Sequence, residues 1–137
     1  MHTLRSATPA DVSDLLDFWK SAAEGTSISD DESGVGRLIA RDADALIVAE
    51  RDGRIVGTVI AGWDGWRFHL YRLAVDPAER RQGIGRALLA AAEERFAALG
   101  ATRVDAMVLD ANDLGRRIWE AAGYTRQDDW RRWVKAL

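Results

Sequence analysis

Two periods run along the chain, one near 3.6 residues and one near two, and together they predict its elements. Leu4 to Ala7 reads as a short strand. Thr8-Pro9-Ala10-Asp11 then reads as a helix start, with Thr as N-cap, Pro at the first helical position and Asp at N3. Val12, Leu15, Leu16 and Trp19 fall on one face of that helix, and Val35, Leu38 and Ile39 mark a second, shorter one. Between them Gly25 to Gly34 is small, polar and acidic, closing on Asp30-Asp31-Glu32, which predicts a mobile surface loop. Ala45 to Glu50 and Arg54 to Ala61 are apolar, β-branched runs, and Asp52-Gly53 between them supplies the positive φ of a tight hairpin. Asp64-Gly65 repeats the signal before a third strand, roughly Arg67 to Val75.

The period then changes. A helix from about Gly85 to Leu99 turns Leu88, Leu89, Ala92, Phe96 and Leu99 inward and ends at Gly100. Arg103 to Leu109 predicts a further strand, and Asn112 or Asp113 caps a last helix that stops at Gly123. Tyr124 to Arg126 and Trp130 to Val134 predict two closing strands, the second packing Trp130 and Trp133 and turning Arg131 and Arg132 to water. That reading is preferred to a nucleic-acid stacking platform. Antiparallel strands followed by a β-α-β crossover predict one α/β domain over residues 1–137, with a mixed, mostly antiparallel sheet and flanking helices.

Composition narrows the chemistry. At 137 residues, with 47% apolar, the chain can bury one core and no second full domain. Nineteen basic against 22 acidic side chains leave a net charge of −3, so no overall electrostatic footprint for nucleic acid exists. The absence of cysteine excludes disulfides, thiolate metal sites and a cysteine nucleophile, and His2 and His69 lie too far apart in sequence to suggest a metal site. The longest nearly apolar stretch, Ile55 to Trp63, is far shorter than the roughly 20 residues that span a bilayer. The expectation is a cytoplasmic protein with no metal, no nucleic-acid partner and no membrane partner.

The most informative stretch is Asp76-Pro77-Ala78-Glu79-Arg80-Arg81-Gln82-Gly83-Ile84-Gly85-Arg86. It joins a strand to a helix N-terminus, where unpaired N–H groups and a partial positive charge favour an anion. Gly83 and Gly85 would let a phosphate approach the backbone, and Arg80, Arg81 and Arg86 carry guanidiniums suited to its oxygens. Alone, a G-x-G would be only a tight turn; strand, glycines, arginines and helix start together favour a phosphate site. A dinucleotide fold fits less well, because Leu88 stands at the third glycine position and seven residues separate Val75 from Gly83. Asp105, about twenty residues on, reads equally as a ribose-binding carboxylate or as a solvent-facing strand residue. A P-loop is excluded, since no Gly-Lys-Ser/Thr follows.

The chain resembles the GNAT family of N-acetyltransferases over nearly its whole length. The signature Arg/Gln-x-x-Gly-x-Gly/Ala is matched by Arg80-Arg81-Gln82-Gly83-Ile84-Gly85, after a strand ending in Leu73-Ala74-Val75. A second segment, an Asn opening a helix that ends in a Gly-aromatic pair, is matched by Asn112 through Gly123-Tyr124. The resemblance implies an acetyl-CoA cleft between two splayed parallel strands. There the backbone of Leu73, Ala74 and Val75 would bind the pantetheine arm, Arg80 to Arg86 the pyrophosphate, and Asn112 would touch the cofactor from the other side. It also implies a base four residues upstream of the tripeptide, which is His69. With period two along the strand, His69, Tyr71, Leu73 and Val75 share one face.

The departure from the family lies at Trp119. Many members place there a tyrosine that protonates the departing sulfur, and indole has no transferable proton. Tyr71 or water would substitute, and Trp119 would cover the pantetheine. Trp63, Trp66 and the acidic loop border the acceptor side in similar proteins and suit a cationic amine, whereas Trp19 reads as core. The function implied is transfer of acetyl from acetyl-CoA to a primary amine of a small molecule or peptide, with a homodimer left open. The rival is a non-catalytic acyl-CoA binding module.

Overall fold

The two Asp-Gly turns organise the sheet. Asp52 and Gly53 both have positive φ, 53° and 74°, and join β2 (Leu46–Arg51) to β3 (Arg54–Trp63) in a tight hairpin. At the second turn the Asp64 carboxylate accepts from the amides of Arg67 and Trp66 at 2.7 and 2.8 Å, and these N–H groups hold its pKa below the ordinary carboxylate value. β4 (Phe68–Val75) follows. β1 (Thr3–Ser6) pairs antiparallel with β2, and β5 (Asp105–Ala106) pairs parallel with β4, giving a five-stranded sheet in the order β1-β2-β3-β4-β5. The computed structural model from which this sheet is read describes residues 2–23, 30–109 and 112–137.

Helices cover both faces. α1 (Val12–Ala22) follows a 3-10 turn at Pro9–Asp11, where the Thr8 amide donates to the Asp11 carboxylate at 2.7 Å. α2 (Glu32–Arg41) is capped by Asp31, whose Oδ1 accepts from the Gly34 amide at 2.6 Å. Glu32 to Gly34 are thus its first turn rather than the end of the expected loop. Residues 24–29, the larger part of that loop, lie outside the described residues. α1 and α2 pack Leu15, Trp19, Val35 and Ile39 on Leu46, Val48, Ile60 and Ala74. α3 (Ile84–Ala98) and α4 (Asp113–Ala121) cover the other face, where Ile84, Leu88, Leu89, Ala92, Phe96 and Trp119 meet Val56, Val59, Phe68 and Leu70.

Gly57 sets how closely α3 approaches. A Cβ there would lie 2.8 Å from Ile84 Cγ2 and 3.0 Å from Leu88 Cδ1, so only hydrogen lets the helix sit this low on β3. At the far edge Arg5 bridges Asp11 and Glu50, both at 2.8 Å, tying β1 to the entry of α1.

Two expectations are corrected. The strand over Arg103 to Leu109 contracts to Asp105–Ala106, because a strand lasts only as long as its partner runs beside it: the Met107 amide donates to the Leu70 carbonyl at 3.2 Å, and β4 then diverges. The closing strands at 124–126 and 130–134 are absent, and Trp130 and Trp133 are 71% and 93% exposed instead of packed. Amphipathic alternation gives a segment two faces but no hydrogen-bonding neighbour. Arg131 turns back locally, donating to the carbonyl of Trp130.

Candidate active site

Past Leu70, β4 has β3 on one side and an open edge on the other. The register explains how that edge is furnished. Thr58 pairs with Ala74 and Ile60 with Tyr71, so Val59 alone faces both Arg72 and Leu73, a β-bulge on β4. Arg72 has φ of 54°, a left-handed conformation costing a non-glycine residue on the order of 1 kcal/mol. The inserted residue reverses the strand's parity. Ahead of the bulge, Leu70 points its carbonyl to β5; beyond it, Asp76 donates its amide to Val56 at 2.9 Å. Counting back by twos, Ala74 also bonds toward β3, which leaves the N–H and C=O groups of Leu73 and Val75 facing the open side.

The bulge also overturns the shared face expected for His69, Tyr71, Leu73 and Val75. Phe68 and Leu70, then Leu73 and Val75, pack toward α3, whereas Ala74 packs toward α1 and α2. His69 and Tyr71 lie on the α1 and α2 face with Ile60 and Gly62, their cross-strand partners. Gly62 leaves room for the Tyr71 ring, since a Cβ there would stand 2.9 Å from its hydroxyl. Tyr71 is 37% exposed, and partial burial raises its pKa above the ordinary phenol value, so it is protonated at neutral pH.

His69 stands directly opposite Asp105 in the parallel pair, with Nδ1 4.0 Å from Oδ2. The other oxygen, Oδ1, accepts from Arg103 Nε at 2.8 Å. Asp105 therefore faces the imidazole on one side and the Arg103 guanidinium on the other. Sequence reasoning missed this placement, because a parallel register across a crossover leaves no local signal.

At the end of β4 lies the loop that the sequence singles out as a candidate anion site. Gly83, with φ of 78°, precedes α3, and Arg81 two residues earlier is also left-handed at 67°. Such reversals turn successive N–H groups to one side, the backbone nest that receives anions. The loop's own carboxylates are already engaged: Asp76 by Arg54 at 3.0 Å and Glu79 by Arg51 at 2.9 Å. Gln82 accepts from Arg51 at 2.6 Å. Arg80, Arg81 and Arg86 are exposed and, among the described residues, no carboxylate pairs with them. Ile84 is buried in the core, and Gly85 faces Val75 and Ile118, so a Cβ there would make ordinary contacts of 3.6 and 3.8 Å.

On the other wall, Asn112 caps α4, its Oδ1 accepting from the Gly115 amide at 2.8 Å. Trp119 is 6% exposed and meets Tyr124 edge to face at 5.0 Å. The Tyr124 hydroxyl donates to Glu93 at 3.0 Å; burial first, then that carboxylate, push its pKa well above the phenol range. Trp19 is buried, as its helical face predicts, Trp63 stacks on Phe68 at 5.9 Å, and Trp66 is 75% exposed beneath the Arg67 guanidinium. A shallow hollow of about 330 Å³ lined by Leu4, Arg5 and Arg95 lies at the β1 edge, away from all of these groups.

Residues 11–124 match the sequence model of the Acetyltransferase (GNAT) family, and the chain belongs to that family. Solved structures with the same fold include the PaiA N-acetyltransferase of Thermoplasma acidophilum in complex with coenzyme A. It is 18% identical, with a TM-score of 0.84 over 93% of this chain and 92% of that one. The ribosomal-protein-S18-alanine N-acetyltransferase of Escherichia coli is 20% identical, with a TM-score of 0.74 over 93% of this chain and 80% of that one. The aminoglycoside 6'-N-acetyltransferase AAC(6')-IG of Acinetobacter haemolyticus is 17% identical, with a TM-score of 0.78 over 98% and 99%.

Proposed function

We propose that the chain transfers an acetyl group from acetyl-CoA to a primary amine of a small molecule or peptide. The observation that carries this reading is the open edge of β4, where the main-chain groups of Leu73 and Val75 lead to the Arg81 to Gly83 nest. An extended amide-bearing arm suits the first and a diphosphate the second. These residues fit coenzyme A: the main-chain groups of Leu73 and Val75 face the open edge, and among the described residues no carboxylate pairs with Arg80, Arg81 or Arg86. The amine acceptors in the names of the E. coli and Acinetobacter enzymes support the choice of acceptor.

Bound acetyl-CoA would supply the thioester, so that a carbon–nitrogen bond forms and a carbon–sulfur bond breaks. The remaining work falls to side chains. His69 would take the proton lost by the amine, directly or through water, since imidazole can serve as a general base. Asp105 faces its Nδ1 and would leave Nε2 to meet the amine. Tyr71, protonated at neutral pH, would hydrogen-bond or protonate the departing sulfur.

Incubation with acetyl-CoA and an amine panel, following free thiol, tests the reading. Thiol release that requires an amine supports it; none across peptides, polyamines, aminoglycosides and amino acids contradicts it. The second reading, a non-catalytic acyl-CoA binding module, is favoured by one observation: Trp119, where many members of the family carry a tyrosine, is buried in the core. Tight CoA binding without turnover would select it.

A further inference from the structure

We infer that Thr58 and Trp19 are positioning residues for the donor strand, and that they act by holding the Arg72 bulge; the inference rests on the coenzyme A reading above. The bulge removes the Arg72 carbonyl from the β3–β4 ladder. A buried carbonyl without a donor is costly, and here a side chain supplies one. The Thr58 hydroxyl donates to the Arg72 carbonyl at 2.8 Å. Its oxygen accepts in turn from the Trp19 indole N–H at 2.9 Å. Thr58 is fully buried and Trp19 only 3% exposed, so water cannot replace either bond. The Arg72 guanidinium lies over the same indole, 5.5 Å from the ring centroid, and pairs with Asp30. Helix α1, which covers the sheet face that His69 and Tyr71 share, thereby reaches both the main chain, through Thr58, and the side chain of the left-handed residue.

The consequence reaches the cleft through parity. With Arg72 in the bulge, the amides of Leu73 and Val75 face the open edge; with the bulge relaxed into regular pairing, those of Arg72 and Ala74 would face it. Thr58 touches neither the open edge nor the anion site. Its loss should appear in donor binding.

The test compares Thr58→Val, which keeps the shape and removes the hydroxyl, with Thr58→Ser, which keeps the hydroxyl, and with Trp19→Phe, which removes the indole N–H together with part of the ring. Leu46→Ala serves as a control that loses stability through a buried residue of β2. Calorimetry with CoA and steady-state kinetics are read on folded protein. Thr58→Val should weaken CoA binding and raise KM for acetyl-CoA about five- to tenfold, the worth of one buried hydrogen bond, with KM for the amine little changed. Trp19→Phe should shift the same quantities about two- to threefold, Thr58→Ser less than twofold, and Leu46→Ala should lower Tm with wild-type CoA affinity. Wild-type CoA affinity in folded Thr58→Val, or in Trp19→Phe should Thr58→Val not fold, overturns the inference alone. A wild-type protein that binds no CoA overturns the coenzyme A reading and this inference with it.

Discussion

His69 and Asp105 face each other across the parallel pair of the sheet, and that pair is also the apex from which β4 and β5 part. Pairing ends at Leu70 and Met107, so imidazole and carboxylate sit at the closed end of the opening, with Tyr71 next along the α1 and α2 face.

If His69 takes the amine proton, His69→Ala should lower kcat/KM by about 10²-fold or more and remove the ascending limb of its pH profile. Asp105→Asn should lower kcat about five- to tenfold by loosening the imidazole, with little change in CoA affinity. Initial rates from pH 5.5 to 9 check both. A His69→Ala enzyme with the wild-type profile would remove the base from this position.

The anion site makes a separable prediction. Arg81→Ala should weaken CoA binding about tenfold, the loss of one charge-assisted hydrogen bond, while Tm stays near the wild-type value. Gly83→Asp should do more, since it sets a negative charge beside the site and puts a side chain at a φ of 78°. Calorimetry and thermal melts of the two variants distinguish binding from folding. Unchanged affinity in both would mean that the diphosphate lies elsewhere.

Seating of α3 can be tested from beneath. Gly57→Ala forces a methyl to 2.8 Å from Ile84, the first residue of the helix, and should cost about 1–3 kcal/mol as the helix lifts. CoA affinity should fall with it, because the N–H groups at Gly83 to Gly85 move with the helix. Denaturant unfolding gives the first quantity and calorimetry the second. A destabilised variant with full affinity would show that the helix start is held by its loop rather than by β3.

Acid should weaken the β1 edge. The Arg5 guanidinium holds the Asp11 carboxyl at about 2, below its ordinary 3.8. A carboxyl whose folded pKa is depressed contributes fully above its unfolded value and loses that contribution as pH falls toward the folded one. The window is therefore about pH 4 down to pH 2, and the loss is on the order of 1–2 kcal/mol. Urea unfolding at pH 5, 4, 3 and 2.5 should show this slope in the wild type and a shallower one in Arg5→Met. Equal slopes would contradict the assignment.

What the sequence disclosed was local. The hairpins were legible because Asp52-Gly53 and Asp64-Gly65 carry their own turn geometry, and α3 because its apolar residues keep one period for four turns. The Gly83 turn was legible because a helix start, glycines and arginines are contiguous. The Arg72 bulge was not: left-handed positions usually advertise themselves as Gly or Asn, and this one is an arginine held by Thr58 and Trp19, 14 and 53 residues distant. The Asp105 partnership with His69 depends on a register between segments 36 residues apart. Trp130 to Val134 failed for the opposite reason, since its alternation described a strand for which the fold provides no neighbour.

A crystal structure with coenzyme A bound tests the central claim most directly. The account predicts the diphosphate in the turn from Arg81 to Arg86, and the pantetheine arm running along β4 with its amides bonded to the main chain of Leu73 and Val75. Density for the nucleotide at any other surface, or an arm bonded to Arg72 and Ala74 instead, would contradict it.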